Sequence, residues 1–447
     1  MDQHDNSFGL SNMLLESVMN PVHHLYVHIP FCPSICPYCS FHVLRANKTQ
    51  AERFLENLLS EYRSIADDLD AATVFFGGGT PTALSTGMLQ QLLSALLPHP
   101  VNEDRSPQPE NVSGNSVAAS PLLTSHLPYS PPTTPTISPL PSRFDGFDKL
   151  RTCPERSRGA RGRERGGGLE VSIECNPSTL STQKAAALVD LGVNRLSIGA
   201  QSFDPTVLQT LGRVHSVAAI HQCVSAAREA GFSNINLDLI FGVPGQTLDS
   251  WKATLFHTLA LGPQHFSCYG LTYEEDTDFF RRHQRGELRD HPELETEMFH
   301  LADEILTHAG YHHYETSNYA LAGFECGHNL AYWRGEDFYG IGPSAVSTVR
   351  GKRCHNSRMN ERGAWMVEEI ESLSIQTLAA ERMALGLRTS EGIEETAFAA
   401  KFGFLPSERW AREIASLQQA RLMTPKKSLQ LSGRGRVVAD EVASYFM

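Results

Sequence analysis

Residues 28–39 read His28-Ile29-Pro30-Phe31-Cys32-Pro33-Ser34-Ile35-Cys36-Pro37-Tyr38-Cys39. The run follows directly on a short β-prone stretch, residues 25–29, so the three cysteines belong to the loop that leaves a strand. Spacings of four and three residues let one tight loop turn three thiolates toward one point. Thiolates are the ligands that iron–sulfur clusters require, and three of them leave one iron of a 4Fe-4S cluster with an open coordination position. A structural zinc site in which His42 completes a Cys3His set is the rival reading. Three unliganded buried cysteines fit less well, because Pro33 and Pro37 keep such a loop near the surface.

Beyond this loop, β-rich runs recur at 73–76, 169–175, 195–201, 235–241 and 266–271. Most are separated by stretches of helical period, at 51–68, 183–191, 217–230 and 248–261. Strand alternating with helix predicts βαβ units and a parallel sheet. Six such units predict an α/β fold, an incomplete TIM-like (β/α)6 barrel with its ligands at the C-terminal strand ends. The second run ends in Phe76-Gly77-Gly78-Gly79-Thr80-Pro81, where consecutive glycines let backbone groups approach a ligand without Cβ obstruction. Glu174, Gln201 and Asp238 fall in or at the ends of later strands, with Arg213 following the fourth. Polar groups inside apolar strands are costly unless paired. Their recurrence therefore points to one polar ligand in the barrel mouth, or to core ion pairing such as Asp238 with Arg213.

The 447 residues suggest more than one domain, and 41% hydrophobic content suits a packed core. A net charge of -12 disfavours nucleic acid as a partner. No uncharged apolar run is long enough to span a membrane. Residues 1–24 contain no Lys or Arg, so neither a secretory signal nor an Arg-rich transit peptide is expected, and the chain is placed in the cytoplasm. Nine cysteines, three of them clustered, suit metal or cluster ligation better than a disulfide framework. The expected organisation is an N-terminal extension over 1–24, a barrel domain over 25–361 and a small C-terminal domain over 362–447. Residues 101–168 interrupt the barrel with a Pro- and Arg-rich insert expected to be disordered. In the C-terminal part, residues 368–387 and 407–421 are expected to be helical. Residues 429–431 and 436–439 are read as β-prone arms around Gly433, giving an α+β, winged-helix-like character.

Taken with these motifs, residues 25–447 apart from the insert resemble the radical S-adenosylmethionine (SAM) family of oxygen-independent coproporphyrinogen III oxidases and the paralogous heme chaperones, HemW. The resemblance implies that Cys32, Cys36 and Cys39 hold a 4Fe-4S cluster whose open iron is chelated by SAM, and that reduction releases a 5′-deoxyadenosyl radical. It further implies that the turn with Gly78, Gly79 and Thr80 holds the SAM amino group and that Tyr38 flanks the adenine. Tyr26, Glu174, Gln201, Arg213 and Asp238 match SAM-contacting positions.

Two features separate the branches. The oxidases carry a further cysteine two residues after the third ligand, where this chain has Phe41, and a longer N-terminal extension. The run His328-Asn329-Leu330-Ala331-Tyr332-Trp333 matches the heme-binding signature of the HemW branch. His328 then supplies an axial nitrogen, and Tyr332 and Trp333 offer flat faces to a porphyrin. Cys326 and the Cys153-Pro154 pair compete for the iron. Further matches run through Tyr314-Glu315-Thr316-Ser317-Asn318-Tyr319, through 340–345, and through 381–388, including Arg388. The expected function is a heme chaperone that passes heme to an acceptor protein, with an electron donor for the cluster. The alternative is an oxygen-independent coproporphyrinogen III oxidase.

Overall fold

The computed structural model describes residues 20–45, 47–97, 168–425 and 428–447. The Pro/Arg-rich insert with Cys153, and most of the N-terminal extension, lie outside the described residues. Six strands run parallel: β1 (Val22–Ile29), β2 (Leu69–Gly78), β3 (Glu170–Cys175), β4 (Arg195–Gln201), β5 (Ile235–Phe241) and β6 (His265–Gly270). The intervening helices are α1 (Lys48–Ile65), α2 (Thr86–Leu96), α3 (Thr182–Asp190), α4 (Pro205–Thr210), α5 (Val217–Glu229) and α6 (Leu248–Leu261). After β6 come α7 (Asp278–Gln284), α8 (Pro292–His308), β7 (His312–Glu315), β8 (Asn318–Ala320), α9 (Gly327–Trp333) and β9 (Tyr339–Ile341). The sheet order is β7-β8-β6-β5-β4-β3-β2-β1-β9, so the barrel stays open between β7 and β9. This is the expected incomplete barrel, extended by an antiparallel pair on one edge and a parallel strand on the other.

Local chemistry sets the helices. Ser85, Ser181, Ser216 and Thr247 cap α2, α3, α5 and α6, each side chain accepting a backbone N–H three residues on. Each cap is worth about 1 kcal/mol. In α1, Ala51, Phe54, Leu55 and Leu58 form one buried stripe at helical spacing.

The strands divide by parity, as a pleated backbone requires. Leu25, Val27, Ile29, Val74, Phe76, Val171, Ile173, Leu196, Ile198, Leu237 and Leu239 join the main apolar core. Their neighbours on the opposite face include Tyr26, His28, Glu174, Arg195, Ser197, Asn236, Asp238 and Ser267, which line a cavity. One face packs against helices and the other builds a site.

Towards the C-terminus, β10 (Val346–Val349), β11 (Lys352–Asn356) and β12 (Val367–Ser372) make a three-stranded antiparallel sheet. Residues 368–372 therefore form a strand, correcting the helix expected over 368–387. The helix, α10 (Ile375–Gly386), starts only after Ser374 caps it. Pairing with β11 overrides the helical propensity of the glutamates. The helix expected over 407–421 is broken at Trp410 (φ -118°, ψ 38°) into α12 (Pro406–Arg409) and α13 (Ala411–Gln419), α11 (Glu395–Phe402) preceding both. Leu429 and Leu431 bridge to Ile393 and Met423 as short β contacts. Beyond them, α14 (Gly433–Val437) and α15 (Ala439–Ser444) replace the second β-prone arm, because Ser432 caps a helix there. A separate apolar cluster including Met383, Phe398, Trp410, Leu417 and Val442 holds this small α+β part together.

Candidate functional site

The cysteine loop is pinned at its base. Cys32 N–H donates to Leu44 O at 2.9 Å, and Leu44 N–H donates to Pro30 O at 2.6 Å. The glycine turn after β2 clamps the same stem: Gly79 N–H reaches Ile29 O at 2.8 Å and Thr80 N–H reaches Phe31 O at 2.7 Å. A Cβ on Gly79 would lie 2.8 Å from both of those carbonyl oxygens. Gly78 adopts φ +101°, and a Cβ there would stand 2.4 Å from the His28 ring. These glycines are needed first for the docking of the cysteine loop onto β2, a role beyond the open approach to a ligand read from the sequence.

Cys32, Cys36 and Cys39 are partly exposed. Cys32 Sγ lies 3.4 Å from Thr80 Oγ1, Arg213 Nη1 donates to Cys36 Sγ at 3.4 Å, and Cys39 N–H donates to Cys36 O at 3.2 Å. Burial raises the Cys32 and Cys39 thiols, Cys39 to about 11. They are therefore thiols at neutral pH unless a metal centre displaces their protons, and as free thiols they are poor nucleophiles. Among the described residues, no three His, Cys, Asp or Glu side chains gather closely enough to hold one metal ion. His42 Nε2 already accepts Met359 N–H at 3.2 Å. His42, engaged by Met359, is not turned to complete a Cys3His zinc set, and the three thiols stand beside a guanidinium and a hydroxyl.

Above the sheet lies a cavity of about 630 Å³, within the range of cofactor-sized sites. Tyr26, Gly78, Glu174 and Asp238 line it, and so does His328. Glu174 accepts Gly78 N–H at 3.2 Å. Burial, reinforced by the Asp238 charge, pushes its carboxyl up to about 8. Asp238 accepts from Ser197 Oγ at 3.0 Å and Asn236 Nδ2 at 2.7 Å, and burial raises it also. The core pairing of Asp238 with Arg213 does not form: Arg213 instead bonds Gly199 O at 3.0 Å and Cys36. Gln201 sits beside Arg213, within reach of Gly199, with left-handed backbone (φ 67°) where the β4–β5 register shifts. Strained backbone of this kind concentrates at functional sites. Tyr38 does not reach the cavity wall; it packs against Val207, Leu211, Ile240 and Val243 and the ring of Phe279.

The other wall is α9 and its surroundings. Glu170 caps α9, accepting Gly327 N–H at 2.9 Å and His328 N–H at 3.2 Å. His328 is buried, stacks on Phe75 at 5.2 Å between ring centroids, and bonds Thr73 Oγ1 through Nδ1 at 2.8 Å. Burial, with His24 and Arg195 adding to it, pushes its pKa down to about 3, so the ring is neutral. Tyr332 and Phe41 are exposed at the cavity lining, as is Tyr269. Trp333 also lines it, under the Arg388 guanidinium at 4.8 Å. Cys326, the competing thiol, is fully buried behind the wall, 3.6 Å from Glu170.

Several lining residues were not singled out from the sequence: Arg195, Ser197, Asn236, Ser267 and Tyr269. The period-two polarity of β4 and β5 was the available signal, since Arg195-Leu-Ser197 and Asn236-Leu-Asp238 each alternate. Among the described residues, Glu315 Oε2, Asn318 Oδ1, Trp333 Nε1 and Arg388 Nε are buried without a hydrogen-bond partner, and all four residues line the cavity. Such groups leave donors and acceptors open to a polar ligand or to water.

The Radical SAM superfamily is matched over residues 26–111 and 134–257, and the HemN C-terminal domain over 373–438. A protein named heme chaperone HemW from Bacillus subtilis is 30% identical over 94% of this chain and 98% of its own. The protein of that name from Escherichia coli is 31% identical over 73% of this chain and 70% of its own. Among solved structures, coproporphyrinogen III oxidase (HemN) from Escherichia coli, a radical SAM enzyme, superposes with a TM-score of 0.69 at 20% identity, covering 97% of this chain and 93% of that one. That likeness establishes the fold, and membership of the superfamily implies a 4Fe-4S cluster and SAM. With its cysteine loop docked on the glycine turn and 94% of its length matched by a HemW relative 30% identical to it, the chain belongs to the radical SAM family of oxygen-independent coproporphyrinogen III oxidase-like proteins, in its HemW group.

Proposed function

We propose that this protein is a heme chaperone, binding heme against His328 and passing it to an acceptor protein. The observation that carries the reading is the shared cavity. A neutral histidine with Nδ1 engaged and no protein partner for Nε2 among the described residues stands in the same space as Glu174 and Gly78. Neutral imidazole is the form that ligates iron. The aromatic rim of Phe41, Tyr269 and Tyr332 offers flat apolar area to a porphyrin.

In this reading Cys32, Cys36 and Cys39 hold the cluster, and Gly78, Gly79, Thr80, Tyr26, Tyr38, Glu174, Gln201, Arg213 and Asp238 form the SAM side. Reduction of SAM at such a cluster supplies radical or electron-transfer chemistry. The chain's own part is to place carboxylates opposite a cationic ligand and to keep Arg213 on a ligand sulfur. The barrel over 25–361 and the C-terminal part over 362–447, through Arg388, both contribute. An electron donor and an acceptor protein complete the partners, and the cytoplasm is the proposed compartment. Among the described residues no helix is long and apolar enough to cross a membrane.

Titrating hemin into the purified protein and into His328→Ala tests the reading. A Soret band that shifts and weakens in the variant supports it, and identical spectra and affinity remove the proposed ligand. Anaerobic turnover of coproporphyrinogen III to protoporphyrinogen IX would replace it with the oxidase.

A further inference from the structure

Behind His328 lies a chain of polar groups, three buried and ending at a half-exposed carboxylate, that stand back from the cavity lining. Glu336 Oε2 lies 3.0 Å from His24 Nε2, His24 Nδ1 lies 2.9 Å from Thr73 Oγ1, and Thr73 Oγ1 lies 2.8 Å from His328 Nδ1. His24, Thr73 and His328 are 8%, 5% and 7% exposed, so the two bonds to Thr73 are shielded from water. One threonine hydroxyl thus stands between the δ nitrogens of two histidines contributed by β1 and α9.

A hydroxyl has a single proton, which makes the arrangement directional. Glu336, an ionised carboxylate, only accepts, so a His24 ring carrying a single proton holds it on Nε2. Nδ1 of His24 is then bare and takes the Thr73 hydroxyl proton. The lone pair of Thr73 is left to accept from His328, which must be protonated on Nδ1. His328 Nε2 is thereby bare. We propose that Glu336, His24 and Thr73 are positioning residues that select the Nδ1–H tautomer of His328 and keep Nε2 free to ligate an iron porphyrin in the cavity. Without them the ring is free to place its proton on Nε2, and that proton must move before Nε2 can ligate.

The inference deepens the heme reading and rests on it, but its first test does not need heme. In apo protein labelled with 15N-histidine, the His328 ring, assigned by its loss in His328→Ala, is expected to show a protonated Nδ1 and a bare Nε2. Thr73→Val should shift the ring toward the other tautomer, and Thr73→Ser, which keeps the hydroxyl, should restore it. In hemin titrations of the full chain, Thr73→Val should bind about 10- to 100-fold more weakly, as loss of an outer-shell partner does. Thr73→Ser should bind as wild type, and the ferrous Fe–His stretch should fall in Thr73→Val. Glu336→Ala, at a half-exposed carboxylate, is the variant to use if Thr73→Val does not fold, with the same direction expected. A wild-type His328 protonated on Nε2 overturns the relay whatever heme does. So does unchanged heme affinity in Thr73→Val and Glu336→Ala while His328→Ala abolishes binding. Heme binding that ignores His328→Ala instead sinks the heme reading and leaves the tautomer result standing on its own.

Discussion

Arg213 Nη1 donates to Cys36 Sγ at 3.4 Å, joining the turn after α4 to the cysteine loop 177 positions earlier in the chain. The same guanidinium is anchored by Gly199 O at 3.0 Å, so its position is set by the sheet and not by the loop. A cation donating to a ligand sulfur stabilises the more reduced, more negative state of a cluster. Arg213→Ala should therefore make the cluster harder to reduce. A charge-assisted hydrogen bond of about 1.5–3 kcal/mol corresponds, for a one-electron couple, to a midpoint shift of up to roughly 65–130 mV downward. An EPR-monitored redox titration checks this, and an unchanged or higher midpoint contradicts it.

Gly78 is predicted to tolerate no side chain. A Cβ would meet the His28 ring at 2.4 Å from a backbone at φ +101°. Gly78→Ala should cost roughly 2–4 kcal/mol through left-handed strain and overpacking. Gly87 in the first turn of α2 has nothing within 4 Å of where an added methyl would sit, so Gly87→Ala should be neutral or slightly stabilising. Denaturant melts of the two variants make the comparison.

Glu174 gives the site a pH dependence. Its carboxyl, raised to about 8 by burial and the Asp238 charge, is largely protonated at neutral pH before a ligand binds. A cationic ligand such as SAM binds the carboxylate form, so binding must expel a proton below about pH 8. Affinity is expected to rise with pH up to that point and then level off, with proton release on binding at neutral pH. Calorimetry in buffers of different ionisation enthalpy measures the release. In Glu174→Gln both the release and the slope should disappear. The sign for stability is opposite. The unfolded carboxyl ionises near its ordinary value and the folded one only near 8, so this residue costs stability progressively as pH rises through that window.

The barrel was legible because its strands and helices carry clear periods. β4, β5 and α6 fall at the boundaries read from the sequence, and Cys32, Gly78 and Glu174 lie where a strand end places them. Two of the misjudged pieces trace to long-range packing, and the third, residues 436–439, to the local cap at Ser432. β12 looks helical by composition and becomes a strand only because β11 is there to pair with it. Trp410 breaks its helix through packing against Phe398 and Phe446, partners no local window reveals. His328 could be found as a motif residue, but its bond to Thr73 on β2 spans 255 positions and leaves no local trace. The inward polar residues Ser197 and Asn236 did leave one, in the alternation of their strands.

The central claim is that three thiols share one iron–sulfur cluster with an open iron. Iron and sulfide analysis after anaerobic reconstitution, with EPR of the reduced protein before and after adding SAM, tests it. Wild type should hold the four irons and four sulfides of such a cluster and change its EPR signal with SAM, while Cys32→Ala, Cys36→Ala and Cys39→Ala should each lose the cluster. Full iron and sulfide in any of those variants, or a wild-type signal indifferent to SAM, would contradict it.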